Sequence, residues 1–180
     1  GAKPAGRKDG ITYENNNTEA VLILYAPQKN RVSAIGDFSN FNQTCNTLMT
    51  KDGDYFWARI TGLTPGTQYR FQYIIDDTIR IADPHSELVL DPNNDGAITA
   101  AQYPNLPAYP SAKASGFVGM LMPGETPYSW TSNSYVRPDK KDIIIYELLM
   151  RDFTDAKTWQ TLKDTLNYIK GLGFNAIQVM

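Results

Sequence analysis

Histidine and cysteine are almost absent from this sequence, with one residue of each among its 180. A single cysteine, Cys45, cannot form a disulfide within the chain, so crosslinks give no sign of an oxidising compartment. A single histidine, His85, supports neither a catalytic triad nor a zinc site, because both need further nucleophilic or metal-binding side chains nearby. We therefore expect Cys45 to be a bystander, His85 to be structural or exposed, and no cofactor to be bound.

An excess of one charge and a long apolar run are also missing. The 17 lysines and arginines nearly balance the 19 aspartates and glutamates, for a net charge of -2, and the basic residues are scattered. This excludes a basic surface for nucleic acid or for an anionic membrane. No apolar run has the length of a membrane span, so we expect no membrane insertion. The hydrophobic share of 42% suits one or two folded domains.

Short alternating segments dominate the first half of the chain. EAVLILYAP at 19–27 and RVSAIGDF at 31–38 flank a Pro-Gln-Lys-Asn turn, which predicts a hairpin between them. YFWARI at 55–60 and QYRFQYII at 68–75 alternate in the same way. Five or six short strands at this spacing predict an antiparallel sandwich.

One turn indicates which kind of sandwich this is. LTPGTQY at 63–69 is typical of the tyrosine corner of immunoglobulin-like sandwiches, in which a tyrosine hydroxyl bonds back to the preceding loop. We therefore predict an immunoglobulin-like fold and a structural role for Tyr69, with sugar stacking by Tyr69 as the alternative.

Proline, asparagine and serine interrupt regular structure from Leu88 to Asp142. We assign residues 1–105 to the sandwich and 106–140 to an extended connector wrapped on it, with one strand at 116–122. Aromatic residues of the region are expected to anchor the wrap, and ligand binding is the alternative. They are Tyr103, Tyr109, Tyr128, Trp130 and Tyr135.

The segment DPNNDGAITAAQ at 91–102 has the spacing of a calcium-binding loop. Asp91, Asn93 and Asp95 occupy its first, third and fifth positions. The twelfth position is Gln102, however, and an amide cannot supply the bidentate charged ligand that closes such a loop. We predict an Asx-rich turn and no metal, and calcium binding stays the alternative.

The last forty residues have the pattern strand, helix, strand. A continuous apolar run from Ile143 to Met150 predicts a strand buried on both faces. A helix follows, capped by Asp155 or Thr158 and ended by two glycines, with an apolar stripe on one side. The stripe consists of Trp159, Leu162, Leu166 and Ile169. A second apolar strand at 174–179 completes a parallel βαβ unit.

Two parts of the chain resemble a known family. IIIYELLMRDFTD, a helix and GLGFNAIQVM resemble the start of the catalytic barrel in the alpha-amylase superfamily of glycoside hydrolases. GDFSNFN at 36–42 and IADPHSE at 81–87 resemble the module that precedes that barrel in branching enzymes and isoamylases, which read GDFNNW and ADPYA there. A TIM barrel takes about 200 residues or more. The expected fold class is therefore mainly β: an immunoglobulin-like antiparallel β-sandwich followed, at 141–180, by a truncated βαβ start of a (β/α)8 barrel.

The resemblance implies an N-terminal fragment of a glycoside hydrolase acting on starch or glycogen. Its acid and nucleophile, about 5 Å apart in retaining enzymes, would lie on barrel strands beyond Met180, so we expect no catalytic residue in this chain. We assign substrate contact to Phe41, Trp57 and Asp152. Phe41 stands where the family often has tryptophan, and its smaller ring predicts weak binding of maltooligosaccharides. Asp152 follows the first barrel strand, on the face where barrels build active sites.

A non-enzymatic carbohydrate- or protein-binding immunoglobulin-like module is the alternative function. A reading frame that continues past Met180 with more βα repeats would favour the enzyme. The family resemblance also implies an alpha-glucan as the partner of the parent enzyme and a secreted or periplasmic location. We expect the uncovered apolar surface of residues 141–180 to cause self-association, and folding back onto the sandwich is the alternative.

Overall fold

The computed structural model describes residues 1–132 and 134–180, and in these ranges it has eleven strands and two α-helices. No helix in the described part of the chain is long and apolar enough to cross a membrane. The helices are α1 (Met150–Phe153) and α2 (Trp159–Gly171). The strands are β1 (Gly10–Glu14), β2 (Glu19–Tyr25), β3 (Val32–Gly36), β4 (Thr50–Asp52), β5 (Tyr55–Thr61), β6 (Tyr69–Ile75), β7 (Ile79–Ile81), β8 (Val89–Leu90), β9 (Val118–Leu121), β10 (Ile145–Leu148) and β11 (Ala176–Val179).

The chain divides into two compact units. The first unit consists of Gly1–Ile98 and Asn105–Pro127, and the second of Thr99–Pro104 and Tyr128–Met180. In the first unit, β1, β2, β5 and β4 form a four-stranded antiparallel sheet, here called the first sheet. The second sheet has the order β3, β6, β9, β8, and β7 also pairs with β6. The predicted mainly β, antiparallel fold is confirmed.

The core of the sandwich lies between the inner faces of the two sheets. Every second residue of a strand points to the same face, so Leu22 and Leu24 of β2 and Phe56 of β5 turn inward together. They pack in one cluster with Phe71 and Tyr73 of β6. All five side chains are at most 4% exposed.

The hairpin predicted between 19–27 and 31–38 is wrong. β2 pairs with β1 and β5 in the first sheet, whereas β3 pairs with β6 in the second. The Asp76 carboxylate, in the turn after β6, accepts hydrogen bonds from the backbone N–H groups of Asn30 (2.9 Å) and Arg31 (3.1 Å). These bonds hold the start of β3 beside the end of β6, so the turn carries the chain across the sandwich instead of reversing it within one sheet.

The tyrosine corner predicted at 63–69 is confirmed. The Tyr69 hydroxyl accepts a hydrogen bond of 2.8 Å from the backbone N–H of Thr64. Tyr69 also packs against the core of the sandwich. Its role is therefore structural, as expected.

The strand predicted at 116–122 is present as β9 and lies within the second sheet, between β6 and β8. All four of its residues are buried. A segment assigned to the connector from the sequence thus supplies a strand to the sandwich. Among the aromatic residues expected to anchor the connector, Tyr109 does so, because it packs against the buried cluster of Leu90, Val118 and Met120. Tyr128 and Trp130 are 73% and 71% exposed, so the same prediction is wrong for them.

The second unit contains the predicted βαβ arrangement. β10 and β11 pair in parallel, with Tyr146 opposite Ile177, and α2 connects them. The Thr158 hydroxyl caps α2 by accepting the Thr161 N–H. Of the predicted apolar stripe, Leu162 and Ile169 are buried, whereas Trp159 and Leu166 are exposed.

The first strand of this unit is shorter and less covered than predicted. It begins at Ile145, and Met150 already belongs to α1. Ile144 and Ile145 are 54% and 52% exposed, so burial on both faces is not found. The reason is that α2 packs on the face of β10 that carries Tyr146 and Leu148, whereas Ile145 points to the other face.

Candidate functional site

Phe41 lies in the interior of the first unit. Its ring is only 7% exposed and packs with Ile35 and Ile74, and Ala114 covers this cluster. Stacking on a sugar needs an open ring face. The burial of Phe41 therefore corrects the substrate contact assigned to it from the sequence.

The outer face of the second sheet is covered by residues 108–117, here called the strap. Gln72 of β6 is fully buried, and its side-chain amide donates to the carbonyls of Ser115 and Phe117, at 3.0 Å each. Its amide oxygen accepts a 3.0 Å bond from the Arg80 guanidinium. Every polar atom of this buried side chain thus has a partner, and two of the partners belong to the strap.

Arg70 holds the strap at a second point. Its guanidinium donates to the carbonyl of Ala108 at 3.0 Å and forms a bidentate pair with Asp37, at 3.0 and 2.8 Å. Hydrogen bonding to the Asp37 carboxylate raises the pKa of Arg70 above its ordinary value. The strap, Gln72 and Arg70 together close the outer face of the second sheet. Neither the Gln72 contact nor the Arg70 contact with the strap was predictable from the sequence.

The outer face of the first sheet presents three aromatic side chains, Tyr25, Tyr55 and Trp57, here called the aromatic face. Phe56 of β5 points into the core, so its neighbours Tyr55 and Trp57 point outward. Tyr25 of β2 lies opposite Tyr55 in the strand register. The two tyrosine rings are 5.1 Å apart between centroids and tilted by 51°, and Tyr25 is 53% exposed.

The N-terminal residues lie against the aromatic face. The Trp57 indole N–H donates to the Gly1 carbonyl at 3.2 Å. The Lys3 ammonium stands 3.7 Å from the centroid of the Tyr55 ring, a cation–π contact. The backbone N–H of Lys3 donates to the Asp52 carboxylate at 2.8 Å. Trp57 is therefore half-buried, and its polar atom is engaged by the chain itself.

An ionic group continues the same outer face along β5. The Arg59 guanidinium donates to the carboxylates of Glu14 and Glu19, at 2.5 and 2.7 Å. The pKa of Glu14 is lowered, first by the hydrogen bond from Arg59 and then by that from Arg7. The pKa of Glu19 is lowered by Asn15 and Arg59. The three side chains are partly exposed, at 37% for Arg59, 15% for Glu14 and 20% for Glu19, and they border the aromatic face.

Asp152 belongs to the second unit and lies in α1. Its carboxylate pairs with the neighbouring Arg151, at 2.9 and 3.1 Å. The hydrogen bonds from Arg151 lower the pKa of Asp152. Phe41 and Trp57 both lie in the first unit, but Phe41 packs on the second sheet, against Ile35 and Ile74, whereas Trp57 lies on β5 of the first sheet, so the structure does not bring these two assigned residues together.

The segment at 91–102 forms the Asx-rich turn that was predicted. The Asp91 carboxylate accepts the backbone N–H of Asn93 at 2.9 Å and the side-chain amide of Asn94. The Asp95 carboxylate accepts the backbone N–H of Asp91 at 2.8 Å. The carboxylates at the first and fifth positions are thus used within the turn, and the Gln102 side chain accepts from Thr99.

His85 and Cys45 are exposed, as expected. The backbone N–H of His85 donates to the Asp83 carboxylate at 2.7 Å. The imidazole is 58% exposed and 3.7 Å from the same carboxylate. The Asp83 carboxylate also accepts a 2.6 Å hydrogen bond from the buried Tyr73 hydroxyl. Asp83 therefore has a structural role in the core.

Comparison with known proteins gives one family match. Residues 8–94 match the family model described as carbohydrate-binding module 48 (isoamylase N-terminal domain). This range includes all of the aromatic face.

Several curated proteins are similar to nearly the whole chain. It is 24% identical to a malto-oligosyltrehalose trehalohydrolase of Saccharolobus solfataricus, over 96% of the chain and 24% of that protein. It is 27% identical to a 1,4-alpha-glucan branching enzyme of Bordetella parapertussis, over 88% of the chain and 20% of the enzyme. The chain therefore spans about a fifth to a quarter of the length of these relatives.

Solved structures share the fold. A Group B Streptococcus pullulanase in complex with maltotetraose superposes with a TM-score of 0.64 at 18% identity, over 97% of this chain and 24% of that one. A pullulanase from Anoxybacillus sp. LM18-11, also complexed with maltotetraose, has a TM-score of 0.61 at 17% identity, over 99% of this chain and 26% of its own. At such identities the likeness shows the fold alone.

Proposed function

Because residues 8–94 belong to the carbohydrate-binding module 48 family, we propose that the chain is the N-terminal part of an enzyme acting on alpha-glucans and is itself non-catalytic. The observation that carries this proposal is the combination of the module with a parallel βαβ unit in one chain. The similarity to the pullulanase structures covers 97% of the chain, so it includes both parts.

The βαβ unit is proposed to begin a (β/α)8 catalytic barrel. β10, α2 and β11 have the parallel strand, helix and strand order from which such barrels are built. The half-exposed Ile144 and Ile145 are suited to further barrel strands, which would cover them. The resemblance of the segment at 143–155 to the first barrel strand of the alpha-amylase superfamily supports the same assignment.

The state of Asp152 argues against one catalytic role, that of the proton donor. A carboxylic acid that protonates a glycosidic oxygen needs a raised pKa. Arg151 lowers the pKa of Asp152, so this carboxylate is ionised at neutral pH and is unsuited to be the proton donor. Its proposed role is limited to contact with sugar in the complete barrel.

The substrate class is proposed from the named relatives. The name of the branching enzyme refers to a 1,4-alpha-glucan, and that of the trehalohydrolase refers to malto-oligosyltrehalose. We extend that substrate class to the protein that contains this chain, together with the secreted or periplasmic location that family resemblance implies.

The test compares this chain with the longer protein encoded by the same reading frame. We expect this chain to release no reducing sugar from soluble starch, glycogen or pullulan, and the longer protein to cleave or rearrange at least one of them. Activity of the chain alone would overturn the non-catalytic assignment. A reading frame without further βα repeats would favour the alternative, a non-enzymatic carbohydrate- or protein-binding module.

A further inference from the structure

The two strands of the second unit have one covered face. Tyr146 and Leu148 of β10 pack in one cluster with Leu162 and Ile169 of α2, and Ile177 of β11 packs against the same cluster. Successive residues of a strand point to opposite faces. The residues that alternate with these strand positions therefore form a second face, turned away from α2, here called the open face.

The open face changes from apolar to polar along the strands. It consists of Ile145 and Glu147 of β10 and their register partners Ala176 and Gln178 of β11. The apolar pair, Ile145 and Ala176, comes first. The polar pair, Glu147 and Gln178, follows, and both of its side chains are exposed. Because the strands are parallel, the polar pair lies nearer the carboxyl ends of both, and (β/α)8 barrels build their active sites at that end.

We propose that Glu147 and Gln178 form a hydrogen-bonded pair inside the complete barrel, and that Glu147 is a positioning residue for the reaction on the alpha-glucan. This inference rests on the proposed function, because the open face becomes the barrel interior only when further barrel strands cover it. Neighbouring strands are about 4.8 Å apart, so the two side chains are within reach of each other. The Gln178 amide can donate to one carboxylate oxygen of Glu147, which leaves the second oxygen to accept from a cationic side chain of another barrel strand.

Packing alone does not explain a glutamate at this position. Barrel interiors are filled mainly by branched apolar side chains, and Ile145 is such a residue two positions earlier on the same face. A carboxylate taken out of water costs free energy unless hydrogen bonds and a cation compensate for it. The pair of Glu147 and Gln178 should therefore contribute orientation, by holding a cationic side chain of the active site in one place.

The experiment uses the longer protein encoded by the same reading frame, with soluble starch or pullulan as substrate. Glu147→Gln keeps the shape of the side chain and removes its charge. This substitution should lower kcat by about ten- to hundredfold, because a misplaced active-site group slows the reaction, and should change KM by less than about twofold. Gln178→Leu should lower kcat by a smaller factor, since the carboxylate stays in place without its donor. The double variant should be no slower than Glu147→Gln, because the two residues act as one unit.

Exchanging the two side chains separates positioning from a purely structural role. Glu147→Gln combined with Gln178→Glu keeps one amide beside one carboxylate, so thermal unfolding of this variant should stay close to that of the parent. Its kcat should remain low, because the carboxylate has moved to the neighbouring strand. Recovery of kcat to the parent value in this variant would overturn the positioning role.

Matched controls use exposed residues outside the open face. Glu87→Gln in the first unit and Gln160→Leu on α2 should leave kcat unchanged. Equal kcat for folded Glu147→Gln and the parent would overturn the inference, and so would rate losses that multiply in the double variant. In both cases the parent still acts on alpha-glucans, so the proposed function survives. A longer protein that acts on no alpha-glucan would overturn the proposed function and the positioning role with it.

Discussion

The hydroxyl of Tyr73 donates a 2.6 Å hydrogen bond to the carboxylate of Asp83 inside the core, where the two residues are 0% and 2% exposed. Tyr73 lies on β6, and Asp83 follows β7 in the segment IADPHSE. The second carboxylate oxygen accepts the His85 backbone N–H at 2.7 Å. The aspartate of this segment thus fixes the chain after β7 to the centre of the second sheet.

Tyr73→Phe should lower the free energy of unfolding by about 1–3 kcal/mol, because it leaves a buried carboxylate oxygen without its donor. Urea unfolding followed by tryptophan fluorescence measures the change. Tyr25→Phe, which removes an exposed hydroxyl, is the control and should change stability by less than about 0.5 kcal/mol. Equal effects of the two substitutions would contradict a special role for the Tyr73 bond.

Stability should also fall at alkaline pH. Burial, and next the negative charge of Asp83, raise the pKa of Tyr73 well above the ordinary 10.0. Above about pH 10 the unfolded chain loses this proton and the folded chain keeps it, so rising pH favours unfolding. Each such tyrosine contributes at most about 1.4 kcal/mol per pH unit. Tyr13, whose pKa is raised mainly by burial, acts in the same direction.

Denaturant unfolding between pH 8 and pH 11 measures this dependence. In Tyr73→Phe the decrease of stability above pH 10 should be shallower than in the parent, because one of the three tyrosines with a raised pKa, Tyr13, Tyr73 and Tyr109, is removed. An identical decrease in the variant would show that other groups cause the alkaline loss.

Gln72→Leu should loosen the strap. The substitution leaves the carbonyls of Ser115 and Phe117 without their donor and should destabilise the unit by about 2 kcal/mol. Hydrogen exchange of residues 108–117 should become faster than that of β2, whose bonds are untouched. Gln68→Leu, which removes an exposed amide, is the control. Unchanged exchange in the strap would mean that Gln72 does not hold it.

This chain should self-associate through its second unit. Ile144 and Ile145 are half exposed and Val179 is 39% exposed. At about 25 cal/mol per Å², hiding 400 Å² of apolar surface contributes on the order of 10 kcal/mol before ordering costs. Sedimentation velocity should show a dimer whose population increases with protein concentration. Ile145→Lys should shift this equilibrium toward the monomer.

Ile79→Lys, at a similarly exposed isoleucine of the first unit, should leave the oligomeric state unchanged. A clean monomer at all concentrations, together with immediate proteolytic removal of residues beyond Lys141, would rule out self-association. It would also rule out folding of the tail onto the sandwich.

The sequence by itself determined the features that depend on neighbouring residues. Alternation of apolar residues predicted short strands, and the spacing from Thr64 to Tyr69 predicted the tyrosine corner. Thr158 was one of two expected helix caps. Each of these contacts joins residues at most five positions apart, so the local sequence contains both partners.

Only the tertiary structure decided which strands pair and which aromatic rings are open. β2 pairs with β5, with Leu22 opposite Ala58, and the Asp76 carboxylate assigns β3 to the other sheet. Phe41 is buried, Trp57 is half-buried and Tyr25 is exposed for the same reason. Burial of a ring depends on segments distant in the chain, such as the strap over Phe41, and a pattern of neighbouring residues does not contain those segments.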